Sequence, residues 1–203
     1  DNTDIEAAYL ADLDLLGGGT GAVTRFTPEQ IDQCWISHIN RDIWVSDARA
    51  RALIARGMTP PATSLGPANS SHLMIDAQLT TEFFGALCPG MPERALEMAD
   101  LPIRTTASGY AAHAAQYYVL LNSLAFVAPA DLPLDQRVLW LYREARKFIP
   151  DSSKSADIAD AVLADFLANP DPNDWERTRD LVYDRYQLHA ADHGFRYRAW
   201  YES

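Results

Sequence analysis

The sequence is poor in cysteine. Cys34 and Cys88 are the only two, and they fall in separate predicted helices. One disulfide is the most they can form, and two ordinary buried thiols are the expectation. No Cys-x-x-Cys spacing points to zinc. No apolar run reaches about 18 residues, which leaves no visible membrane span. Positive charge is also scarce, with 17 Lys plus Arg against 28 Asp plus Glu and a formal net charge of -11. That balance argues against direct nucleic-acid binding, although one local cation can still hold the phosphate of a small ligand. Strand signals are few, and neither a fixed repeat nor a low-complexity tract emerges. The chain opens on Asp-Asn-Thr-Asp, with no initiator methionine or signal peptide, and that start assigns no compartment.

What the sequence does have is helical periodicity. Its 203 residues, 48% hydrophobic, suffice for one substantial core. A first helix is predicted from Ile5 to Leu16, with Ile5, Tyr9, Leu13 and Leu16 near one face, ended by the glycines from Gly17 to Gly21. Thr27-Pro28-Glu29-Gln30 reads as a capped start of a second helix running to about Ile39. A third covers Ser46 to Arg56. Thr59 to Ser71 is a proline-bearing loop long enough to suggest binding. Further helices are predicted at His72–Leu87, Pro92–Asp100, Tyr110–Val127, Leu134–Phe148, Ser155–Ala168 and Trp175–Gln187, separated by Pro- and Gly-marked turns. The helix from Tyr110 is apolar around most of its circumference and is expected at the centre. Trp35, Trp44, Trp140 and Trp175 fall at helical positions and read as core or groove residues.

Three segments carry groups that could do chemistry. Asp1-Asn2-Thr3-Asp4, followed by Glu6, places oxygen donors at a loop-to-helix junction. Such donors suit a hard cation such as magnesium, and they equally suit an acidic helix start that favours the dipole. Asp1 and Asp4 share a side if the helix begins early. The loop Gly66 to Ser71, which contains Asn69 and Ser70, leads towards Asp76 and Gln78. It reads either as an anion-binding helix start or as an ordinary connection. Arg104 to Tyr110, with Ser108, Gly109 and Tyr110, combines a cation, hydroxyls, a glycine and a ring ahead of the central helix. It could line a phosphorylated or sugar ligand, or simply cap that helix. His113 is read as a core histidine, and His189 and His193 as a weak zinc spacing. Neither a P-loop nor a Gly-x-Ser-x-Gly elbow is present.

The order of these segments resembles the ADP-ribosylglycohydrolase family, in particular one bacterial branch. Asp1-Asn2-Thr3 looks like the family's Asp-Asp-Thr metal motif, and Asp4-Ile5-Glu6 like its continuation. Trp44 to Pro61 resembles the next block. Ile75-Asp76-Ala77-Gln78 with Phe84-Gly85 and Pro89-Gly90, then Ala99-Asp100, Ser108-Gly109-Tyr110, Gln116-Tyr117 and Ile149-Pro150 with Ser152-Ser153 follow in family order. The resemblance implies an all-α, multi-helical orthogonal bundle. It also implies magnesium ions, usually a pair, and cleavage of the glycosidic bond between ADP-ribose and an acceptor. By position, Asp1, Asn2 and Thr3 would bind metal, with Asp1 and Asp4 serving catalysis. Asn69, Ser70, Ser108, Gly109 and Tyr110 would line the pocket for an ADP-ribose-type or nucleoside-type ligand.

The sequence departs from the family in three ways. Asn2 stands where a second carboxylate is usual. The histidine of a Thr-His pair is missing near Thr105 and Thr106. No downstream Asp-x-Asp-Thr occurs, and nothing precedes Asp1. Residues 1–203 are therefore expected to form one such domain, incomplete at both ends. The first function reading is a magnesium-dependent glycohydrolase-like protein. The second is a non-catalytic helical scaffold or assembly subunit derived from the same fold.

Overall fold

A computed structural model describes residues 2–19, 25–171 and 173–188. Asp1, His189 and His193 lie outside them. The architecture is all-α, with no strand among the described residues. Helices α1 (Asn2–Gly17), α2 (Pro28–His38) and α3 (Val45–Ile54) come first. A 3-10 turn, Ala62–Ser64, interrupts the long loop that follows. Two short helices, α4 (Gln78–Thr81) and α5 (Phe83–Leu87), lead to α6 (Pro92–Thr106) and α7 (Tyr110–Ala125). Then come α8 (Leu134–Arg146), α9 (Lys154–Ala168) and α10 (Trp175–Val182), the last continuing into a π-helical stretch, Tyr183–Leu188. No helix among the described residues is long and apolar enough to cross a membrane.

Helix α7 packs against α4, α5, α6, α8 and α9. Its small residues Ala111, Ala114 and Ala115 are buried and admit neighbouring backbones closely. Gly85 in α5 lies directly on the α7 backbone around Val119 and Ser123. The main core gathers Tyr9, Ile31, Trp35, Phe84 and Ile103. One polar pair crosses it, the Trp35 indole N–H donating to the Tyr9 hydroxyl at 2.8 Å. A second cluster joins Leu120 and Leu124 to Ala145, Ile149 and Ala156. Both cysteines are free and buried.

Where neighbours in sequence decide, the expected element forms. Thr27 caps α2 with a full capping box: its hydroxyl accepts from the Gln30 amide, and the Gln30 side chain accepts from the Thr27 amide at 2.8 Å. Two segments differ from expectation. Residues 72–77 are turns rather than the start of a helix. The carbonyl of His72, which a helix would give to residue 76, accepts instead from the Ser108 amide at 3.1 Å. Helix α6 does not stop at Asp100 but runs through Pro102 to Thr106. Proline removes one backbone bond there, but Ile103, Thr105 and Thr106 are fully buried by continuing the helix, and the Thr105 hydroxyl donates to the Leu101 carbonyl at 2.9 Å.

Candidate functional site

The start of α1, the start of α3 and the loop between α2 and α3 enclose a cleft of ≈ 520 Å³. Asn2 and Asp4 reach it from α1, Arg41 and Trp44 from the loop, and Asp47 from the first turn of α3. The loop is pinned at its root. The Arg51 guanidinium donates to the carbonyls of Ile39 (2.8 Å) and Ile36 (3.4 Å), closing off the last turn of α2. Asp42 then takes a left-handed conformation, φ 51°, which aspartate tolerates better than most side chains.

Helix α3 begins without a local cap, since its N-cap residue is Trp44. The first turn is approached from elsewhere in the chain. The carboxyl of Asp76 lies beside it, where Ser46 and the Asp47 amide pull its pKa down against burial. Asp76 thus sits where a capping carboxylate would act. Asn69 supports the same turn. Its side-chain amide donates to the Ser46 carbonyl at 3.4 Å, and its side-chain oxygen accepts from the Ser71 amide at 3.0 Å.

Asp47 has no such explanation. It is only 1% exposed, and neither carboxyl oxygen has a hydrogen-bond partner. A carboxyl left unsatisfied in a protein interior costs on the order of 1–3 kcal/mol, more when it is charged. Burial, and then the neighbouring charge of Asp76, push its pKa well above the ordinary carboxylate value. Asp76 is also raised by burial, against the pull of Ser46 and of the amides around it. A second acidic pair lies further along α1. Burial raises Glu6, and the neighbouring carboxyl of Glu82 raises it further. Glu82 is raised by burial, and one of its oxygens is buried with no partner.

Compared with protein families, curated proteins and solved structures, the chain matches none.

Of the residues that the sequence points to, Asn2 and Asp4 line the cleft. Thr3 is exposed on the same turn, and Asp1 lies outside the described residues. None of Asn69, Ser70, Ser108, Gly109 and Tyr110 is on the cleft wall. Asn69 is fully buried one step behind it, and Ser70 is exposed. The Ser108 hydroxyl donates to the Ser64 carbonyl at 2.7 Å and lies 2.8 Å from His72 Nδ1, which ties two loops together. Gly109 precedes α7 at φ 59°. The Tyr110 ring lies under the Lys154 ammonium, 5.1 Å from the nitrogen. His113 is half-buried, 2.8 Å from the Ser153 hydroxyl, with burial lowering its pKa. Among the described residues, no group of three or more His, Cys, Asp or Glu is gathered tightly enough to hold a metal ion.

Sequence reasoning missed Asp47. An aspartate in a first helical turn is ordinarily a solvated partner of the helix dipole. Only the fold reveals that this one is buried beside another acid.

These shifts fix a pH dependence. Asp47, Asp76, Glu6 and Glu82 all have raised folded-state values, from ordinary values of 3.8 and 4.5. A raised carboxyl stabilises fully below its unfolded value, and that contribution is lost as pH rises through the folded value. In EDTA, the denaturant midpoint is expected to fall from about pH 5 to pH 8, and Asp47→Asn is expected to flatten that slope. An unchanged slope in the variant would clear Asp47 of the effect.

Proposed function

We propose that the cleft binds a divalent cation of the magnesium type and serves hydrolysis of a glycosidic bond to ADP-ribose or a related N- or O-glycoside. The observation that carries this reading is Asp47, a buried carboxyl with no partner on the wall of a cleft that Asn2 and Asp4 share. Magnesium keeps several of its waters and takes only one or two protein carboxylates. Asp47 and Asp4 supply that number, the Asn2 amide oxygen adds a neutral donor, and the resemblance assigns Asp1 and Thr3 to the same set. A bound cation would lower the pKa of a coordinated water, so that it is more readily deprotonated to the hydroxide that attacks an anomeric carbon. Asp47 would hold the cation as its carboxylate, and Asp4 would orient water at the cleft mouth. Asn69 acts as a positioning residue, because it holds the Ser46 carbonyl and with it the turn that carries Asp47.

The experiment is calorimetric titration with magnesium, paired with release of ADP-ribose from N- and O-linked conjugates. Saturable binding is expected, together with cation-dependent release. Asp4→Asn is expected to weaken cation binding about 10-fold or more. Absence of any binding, by calorimetry and by thermal shift with magnesium or manganese, would overturn the reading. It would favour the second one, a non-catalytic helical scaffold, to which Asn2 already leans.

A further inference from the structure

The cleft has an acidic floor, but its mouth is of another kind. Trp44 is 57% exposed there. The other described tryptophans each have a partner. Trp35 is buried and bonded to Tyr9, Trp140 packs against the second core cluster, and Trp175, equally exposed, has the Arg179 guanidinium over its ring at 5.2 Å. The Trp44 ring has no aromatic or cationic partner among the described residues. Arg41, three residues away across the Asp42 turn, is exposed and forms no ion pair or hydrogen bond among them. Both side chains line the cleft that contains Asp47.

We infer that the mouth is a subsite for a nucleoside phosphate, with the base stacked on Trp44 and a phosphate held by Arg41. An indole face accepts any base by stacking. A guanidinium fork fits phosphate oxygens with two parallel hydrogen bonds. The acidic wall repels a phosphate and so confines it to the Arg41 side, while the neutral sugar is the part of the ligand that can approach Asp47 and Asp4. The placing of the sugar rests on the hydrolase reading. The stacking and the phosphate contact do not.

The test measures binding of ADP, adenosine and ribose 5-phosphate by calorimetry and tryptophan fluorescence, in magnesium and in EDTA. Trp44→Ala is expected to weaken ADP and adenosine about tenfold or more, the effect of one stacked base. Trp44→Phe is expected to retain most of the affinity but lose the fluorescence quench. Arg41→Ala is expected to weaken ADP and ribose 5-phosphate by a similar factor and leave adenosine unchanged. Both positions are exposed, and unaltered circular dichroism and melting would confirm that the variants fold. Unchanged affinities for all three probes in both alanine variants would overturn the inference, as would a wild-type protein that binds none of them. Trp44-dependent binding that persists in EDTA, in a protein that takes no magnesium, would uphold the subsite and remove the hydrolase reading. Magnesium binding with no role for Trp44 or Arg41 would do the reverse.

Discussion

Asp47→Asn is expected to raise the melting temperature of the cation-free protein and to abolish the response to magnesium that the proposed function requires. Two effects combine to give this result. At neutral pH the aspartate is either charged beside Asp76 or protonated at a cost, with both oxygens unpartnered. Asparagine is neutral at every pH, and its amide can donate towards the Asp76 carboxyl that a second carboxylate repels. The relief is on the order of 1–3 kcal/mol. In a chain of this size that corresponds to roughly 2–4 °C per kcal/mol. The second effect is the loss of a ligand. Under the proposed function, magnesium at a hundred times its dissociation constant would stabilise the wild-type protein by about 2.7 kcal/mol, and the variant would gain none of it. Thermal scans of both proteins in EDTA and in magnesium give all four values. If the variant melts lower in EDTA while its magnesium response survives, then Asp47 is a structural residue and the cation lies elsewhere.

The largest loss of stability is expected at Gly85→Ala. Gly85 lies inside α5 with ordinary helical geometry, so the backbone itself tolerates alanine. The obstacle is α7. A methyl group there would run into the Val119 carbonyl, and would meet the Asn122 Cβ at 2.7 Å and the Ser123 amide nitrogen at 2.8 Å. Two of these are backbone atoms of the most heavily packed helix, so relief requires α5 and α7 to separate. That also strains the bonds just beyond, where the Gly90 amide donates to the Ser123 carbonyl at 2.9 Å and the Ser123 hydroxyl donates to the Cys88 carbonyl. Overpacking of this kind costs about 3 kcal/mol or more, seen as a fall of roughly 6–12 °C in melting temperature. Gly57→Ala is the control. Nothing lies within 4 Å of its missing Cβ, and only its positive φ of 84° resists alanine, for about 1 kcal/mol. Equal losses at the two positions would refute the packing argument.

The helical character of the chain was legible because periodicity and capping are local. Thr27 and Gln30 are three residues apart, and their reciprocal bonds need nothing else. The same rules misplaced residues 72–77 and the end of α6. In the first case Ser108 claims a carbonyl that local reasoning gives to the helix. In the second, burial of Ile103 and Thr106 outweighs the bond lost at Pro102. The site was half legible. Asn2 and Asp4 could be singled out as oxygen donors next to each other in sequence. Asp47 could not, because what distinguishes it is the absence of partners, and its neighbour Asp76 comes from a distant turn. Trp44 was read as a core or groove residue, and only the fold separates it from the buried Trp35.

The distant cap on α3 has a consequence for assembly. Most of the cleft is drawn from the first part of the chain, where α1, α2 and α3 adjoin one another in sequence and can meet early, since short loops close readily. The start of α3, however, gains its support only when Asn69 and Asp76 arrive, and Asp76 follows a turn whose His72 carbonyl is bonded to the Ser108 amide. The chain must therefore reach Ser108 before the support of the turn carrying Asp47 is complete. An emerging or truncated chain that ends ahead of Ser108 has every wall residue of the cleft but lacks the bond that fixes the turn behind it.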